Sequence, residues 1–185
     1  SKCEILANKK IGHNQIIAIL NFTDKREGRK GMVIGGLYDM VYHTPRVNLY
    51  SEQPVPLAIM GVMETLFKAN GFQVKNFPSV WEPSEIDDGT FVVTGQINKL
   101  WVKIFYSMEV WIDIDVKIID RKLAKTVWAG KIQSTQKKEP SVRAGNIFSG
   151  VLGDEKDMPP FLDETLGNAI CKAWTEQGMR SALVG

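Results

Sequence analysis

The chain has 185 residues, enough for one domain with a buried core, and its 44% apolar and 24% charged content is that of an ordinary globular protein. Its 23 basic and 21 acidic residues are spread along the sequence for a net charge of +2. No basic stripe with interleaved aromatics offers nucleic acid a footprint, and the longest purely apolar run, Ile16–Leu20, is far short of the ~20 residues that span a bilayer.

No signal peptide is recognisable, and the chain opens on Ser1 rather than methionine, as in a protein trimmed of a targeting segment. Residues 1–14, carrying Lys2, Lys9 and Lys10, read as a polar tether or a frayed first strand, and residues 15–185 as a single domain. The two cysteines, Cys3 and Cys171, lie near opposite ends and in neither a CxxC nor a zinc spacing. Two unpaired thiols are expected; were the ends to meet, so long a closed loop would contribute about 4–5 kcal/mol in the entropic account.

In chain order, Gln15–Phe22 (QIIAILNF) is a short isoleucine-rich run suited to a strand buried on both faces. Thr23-Asp24-Lys25-Arg26 ends it, and a polar loop follows to Gly31. Residues 32–50 hold aromatic and β-branched pieces broken by Gly35-Gly36 and Pro45, consistent with a loose hairpin. Ile59, Val62, Met63, Leu66 and Phe67 then follow the spacing of a helix with one buried face. Pro54 and Pro56 fit only its first turn, and Asn70-Gly71 closes it with a residue able to take a left-handed cap. Phe72–Phe77 is a second strand, so strand, helix and strand predict a crossover between parallel strands.

After a loop over 78–89 comes a meander. Thr90–Phe105 changes the phase of its apolar positions near Asn98-Lys99, which predicts a β-bulge. Ser107–Asp120 (SMEVWIDIDVKIID) has an apolar residue at every even position from Met108 to Ile118, the period of a half-buried strand. It is expected to organise the sheet. Lys125–Thr135 is a third, weaker strand. Residues 136–160 read as a long surface connection, and Phe161–Leu183 as a second helix with Leu162, Leu166, Ala169, Ile170, Ala173 and Trp174 inward. Gly167 within it suggests close packing. The expected fold is α+β: a mixed, mostly antiparallel sheet, a β-α-β unit followed by a three-stranded meander, with two helices packed on one face.

Candidate chemistry is sparse. Gly145, Gly150 and Gly153 lack the Lys-Ser/Thr of a phosphate loop. Glu109, Asp113 and Asp115 share one strand face, but no glycine-turn loop or second ligand cluster makes them a cation site, so no metal is expected. His13 and His43 lie near no nucleophile motif, GxSxG is absent around Ser149, and Cys171 falls on a helix's apolar side. No catalytic residue and no cofactor are expected. Trp101 and Trp111 fall on the polar faces of adjacent strands, where they cover each other or lie beneath a helix, or else form part of a binding surface.

The order of features resembles that of the YajG-type family of bacterial lipoproteins. The resemblance rests on Asn21-Phe22-Thr23-Asp24-Lys25-Arg26 after the first strand and on the glycine-bearing excursion Gly31–Tyr50. It rests further on a helix closing in Ala69-Asn70-Gly71-Phe72-Gln73-Val74, and on Val92-Val93-Thr94-Gly95-Gln96-Ile97 before a long alternating strand. It implies a non-enzymatic envelope protein facing the periplasm, anchored to a membrane through a lipidated N-terminal cysteine, and binding other envelope proteins or itself. Cys3 is preceded by no hydrophobic leader or lipobox. Asp24 and Arg26 match the family's D-x-R; they are carried over as candidate binding residues beside Trp101 and Trp111, with turn formation and a local ion pair as their simpler role. A small-ligand or hydrolase pocket near Asp24, Arg26 and residues 32–50 is the alternative.

Overall fold

The computed structural model describes residues 11–13, 15–27, 31–38, 44–79, 85–105, 107–139, 158–176 and 178–184. Eight strands form one mixed sheet: β1 (Ile16–Leu20), β2 (Thr23–Asp24), β3 (Val33–Tyr38), β4 (Pro45–Tyr50), β5 (Gln73–Phe77), β6 (Phe91–Ile104), β7 (Met108–Asp120) and β8 (Lys125–Lys138). Helix α1 spans Val55–Ala69, α2 Met158–Thr175 and α3 Met179–Val184.

The organising strand is β6 rather than β7. Fourteen extended residues reach roughly 46 Å, long enough to take three parallel partners in succession along one edge. Ile17–Ile19 of β1 lies beside Phe91–Val93, Thr23–Asp24 of β2 beside Gln96–Ile97, and Gly35–Leu37 of β3 beside Val102–Ile104. Its other edge pairs antiparallel with β7, from Phe91 opposite Asp120 to Ile104 opposite Met108. The sheet is extended by β5, parallel to β1, by β4, antiparallel to β3, and by β8, antiparallel to β7. Strand β7 is thus interior, paired on both sides, and its alternation buries one face: Val110, Ile112, Ile114, Val116 and Ile118 are each at most 3% exposed.

The expected bulge is present, with Ile97 opposite Ile114 but Lys99 opposite Asp113, leaving Asn98 as the extra residue. Strand β8 runs to Lys138, beyond Thr135, because pairing with β7 continues to Met108 although the side chains there are polar. The excursion after Gly31 is the antiparallel pair β3–β4.

Among the described residues there are three helices where two were expected. The run read as one helix to Leu183 breaks at Gly178, whose φ of +76° a helix cannot hold. Helix α1 lies against β1, β2 and β5, while α2 packs on β8 and β7, and α3 on β8. The helices share one core with the sheet. Phe67 of α1 meets Trp174 of α2 edge-on at 5.8 Å and Phe72 at 6.0 Å. Ile17, Ile19, Ile97, Ile114, Ile118 and Ile132 supply the sheet side. A smaller cluster of Ala18, Leu20, Ile86 and Val92 fills the opposite face.

Two further expectations are corrected. A Cβ at Gly167 would meet nothing within 4 Å, so close packing is not what this glycine serves. Cys171, 7% exposed, is disulfide-bonded and not a free thiol; the chain's other cysteine, Cys3, lies outside the described residues. Outside them too lie His43, Ser149, the glycines 145, 150 and 153, and most of the connection expected over 136–160. Within the stretch read as a tether, Ile11 is buried, and the amides of Ile11 and Gly12 both donate to the carbonyl of Asn70 at the end of α1.

Candidate binding cleft

The Asp24–Arg26 motif forms a clamp. A strand of two residues places Asp24 beside β6, and the chain turns at once, bringing Arg26 back over it. Arg26 is 4% exposed. Its guanidinium grips the carboxylate in two places, Nε to Oδ1 at 2.9 Å and Nη2 to Oδ2 at 2.7 Å. Two further donors reach forward to the start of β3, Nη1 to the Val33 carbonyl at 2.7 Å and Nη2 to the Gly31 carbonyl at 2.9 Å. Asp24 also accepts from the backbone amides of Arg26 and Gly31. Burial pushes the Asp24 pKa up, but the hydrogen bonds and charge of Arg26, with the Gly31 amide, outweigh it, and the group sits below the usual carboxylate range. The pair fastens the turn after β2 to the start of β3, the simpler of the two roles the sequence suggested.

Beside the clamp opens a cleft of about 530 Å³, lined by Lys25, Arg26, Glu27, Asn98, Lys99, Leu100 and Trp101. One wall is the turn after β2, and the other is the bulge of β6 with the residues that follow. The two walls meet because Lys25 continues the pairing past the end of β2, its amide donating to the Ile97 carbonyl at 2.9 Å. Arg26 and Trp101, far apart in the sequence, therefore line one site. Asp24 stands behind Arg26, and Trp111 stands beside Trp101; neither lines the cleft itself. Sequence reasoning missed Lys25, Glu27 and Lys99. The signal for Lys99 lay in the phase change beside it, since bulges re-aim side chains and gather next to sites.

The outer face of the sheet continues from this cleft. Trp101 lies directly opposite Trp111, both half-buried, with Lys99 Nζ 5.1 Å from the centre of the Trp111 ring. Lys103, next along β6, sits 5.2 Å from the Tyr38 ring and 5.7 Å from that of Phe105. The carboxylates of β7 are occupied. Asp115 Oδ2 accepts from Asn98 Nδ2 at 2.8 Å and from Gln96 Nε2 at 3.0 Å, and Asp113 Oδ2 accepts from Gln133 Nε2 at 3.1 Å. Lys131 Nζ lies 3.5 Å from Asp113 and 3.8 Å from Asp115. The Asn98 amide above all, helped by Gln96 and Lys131 against partial burial, holds Asp115 below its ordinary pKa. These groups form a charge ladder across three strands, and among the described residues no cluster has the donors for a metal ion.

A second cavity, about 300 Å³, lies between α1 and α2 and is lined mainly by apolar side chains, among them Val55, Ile59, Val62, Leu162 and Leu166. Among the described residues, no helix is long and apolar enough to cross a membrane.

No protein-family model and no curated protein matches the chain. Solved structures do. A Xanthomonas campestris protein of the family model DUF330 superposes with a TM-score of 0.50 over 96% of this chain and 88% of its own, at 10% identity. PelC from Paraburkholderia phytofirmans, a dodecamer, gives a TM-score of 0.50 over 86% of this chain and 87% of its own, at 12% identity. The fold is one that bacterial proteins use. At such identities the likeness is of fold alone, and the alternating β7, the bulged β6 and the D-x-R clamp are features of this chain read on their own.

Proposed function

We propose that the protein is a non-enzymatic binding or assembly module of the bacterial cell envelope, of the YajG type, that takes its ligand in the cleft beside Arg26 and Trp101. The observation that carries this reading is the convergence of Arg26 with Trp101, Lys25 and Lys99 on one open cleft of small-ligand size. A non-catalytic role is supported by what the charged groups do. Asp24 is held by Arg26 and by backbone amides, and Asp113 and Asp115 by amides and Lys131. Each carboxylate is committed to holding structure, which argues against a hydrolase built on Asp24.

The proposed location is the periplasmic side of a membrane, with a lipid anchor at the N-terminus of the native protein. The disulfide at Cys171 supports it, because such bonds persist in oxidising compartments. PelC, of similar fold, is a dodecamer; association with further copies or with other envelope proteins is the corresponding proposal here.

Two measurements test the reading. Expressed from its native gene, the protein is expected in the membrane fraction carrying labelled palmitate; unlabelled protein in the cytoplasm overturns the location. In an unbiased thermal-shift screen, some compounds are expected to stabilise the wild type but not Trp101→Ala. A flat response from the wild type overturns the cleft as a binding site.

A further inference from the structure

We propose that the cavity between α1 and α2 is a ligand site in its own right, a trough for one straight hydrocarbon chain, independent of whatever the cleft beside Arg26 takes. Its shape follows from its walls. Along α1 the lining runs from Val55 to Thr65, ten helical rises or roughly 15 Å. Ile34 of β3, Leu100 of β6 and, one turn apart, Leu162 and Leu166 of α2 close round it. About 300 Å³ spread over that length leaves a mean cross-section of roughly 20 Å², the girth of one polymethylene chain rather than of a fused ring system. The middle of the trough is apolar, and its polar residues stand at the ends, Ser51 and Gln53 before the first turn of α1 and Thr65 ten residues on.

The polar groups at those ends are spent within the protein. The Ser51 hydroxyl is turned onto the carbonyls of Met32 and Gln53, and the Thr65 hydroxyl donates to the Gly61 carbonyl at 2.9 Å. The first turn of α1 offers an anion nothing either: the Val55 amide donates to Gly31, those of Leu57 and Ala58 donate to Pro54, and Pro56 has no amide hydrogen. Among the described residues no charged side chain lines the cavity. What the walls offer is apolar contact, and apolar cavities take apolar guests in preference to water. Two further observations point to an occupant. Gly61 stands inside α1, where glycine costs about 1 kcal/mol relative to alanine, yet a Cβ there would meet nothing within 4 Å. Close packing does not call for this glycine; its missing side chain leaves the trough open. At the Ser51 end lie two of the four large apolar side chains left exposed among the described residues, Met32 and Tyr50. Tyr50 precedes Ser51 in the chain, and the Met32 carbonyl accepts the Ser51 amide at 2.8 Å, so the mouth at that end has an apolar rim on which a chain can slide in while its polar head stays in water.

The test is calorimetric titration of the whole chain with octyl, decyl and dodecyl maltoside, each below its micelle concentration. Affinity is expected to rise about fourfold per added methylene, and maltose, the same head without a chain, is expected not to bind. Dodecanoate, whose carboxylate meets no basic side chain in the lining, is expected to bind no more tightly than dodecyl maltoside; a carboxylate preferred tenfold overturns recognition through the chain alone. Gly61→Leu puts a side chain into the trough and is expected to weaken dodecyl maltoside at least tenfold, with thermal unfolding no lower than that of the wild type. Gly167→Leu adds the same bulk to open space on α2 away from the cavity and is expected to leave the affinity unchanged. Affinity that does not grow with chain length, binding untouched by Gly61→Leu, equal losses in the two glycine variants, or equally tight binding of the fused-ring amphiphile cholate each overturns the proposal.

Discussion

Arg26→Ala removes one half of a buried ion pair. In the folded protein the guanidinium is 5% exposed and the Asp24 carboxylate 13%, so water cannot easily replace what is lost. The substitution deletes two charge-assisted bonds to Asp24, at 2.9 and 2.7 Å, and two bonds to the carbonyls of Val33 and Gly31, at 2.7 and 2.9 Å. The larger consequence is a carboxylate left nearly buried beside only two backbone amides. Breaking such a pair from one side costs about 3–5 kcal/mol, or roughly 6–20 °C in Tm for a domain of this size. Urea unfolding gives the value directly. The double variant Asp24→Ala/Arg26→Ala is expected to cost less than the sum of the singles, because no orphaned charge remains. The pair also sets a pH dependence. Asp24 is shifted below its ordinary pKa in the folded state, so its contribution is fully present above the unfolded value of about 4 and is lost as pH falls through the folded value. The stability gap between wild type and Asp24→Asn should therefore narrow on acidification below about pH 4. A loss under ~1 kcal/mol for Arg26→Ala would place the pair with exposed salt bridges and refute the clamp.

Three further substitutions or conditions test other parts of the fold. Gly167→Ala is expected to stabilise α2 by about 1 kcal/mol in urea unfolding, because the added methyl has open space and alanine is the better helix former. Gly95→Ala should destabilise by about 1–3 kcal/mol or more, since its Cβ would press on the Asp115 carbonyl and come within 2.6 Å of the Phe22 ring, and β6 cannot shift without disturbing β7. Reduction with dithiothreitol should lower stability by about 2–5 kcal/mol, and Cys171→Ala should abolish that response to the reductant.

How much of this was legible in the sequence varies by element. Strand β7 was legible in full, because one sheet face buried and one wet leaves a period of two that nothing else mimics. The bulge in β6 was legible for a related reason: an extra residue flips the phase of the apolar positions, and the flip falls at Asn98. Helix α1 announced itself by its stripe and its stops. By contrast, the break at Gly178 went unread because Met179 and Leu183 continue an apolar pattern across it and both are buried. The oxidation of Cys171 went unread because pairing depends on where distant parts of the chain meet.

The cleft was half legible. Arg26 and Trp101 stood out singly, one through its motif and one as an aromatic on a polar face, but nothing in the order of residues says that they line one site. What the sequence by itself determined is local: which segments are strand or helix, which face of each is apolar, where a strand is bulged. These follow from periods of two and 3.6 and from the backbone preferences of glycine and proline. Only the tertiary structure decided the partners. Strand β6 is long enough to hold β1, β2 and β3 in turn along one edge, and that stacking, a matter of which backbone edges meet, carries the turn after Asp24 to the bulge at Asn98 and opens the cleft between them.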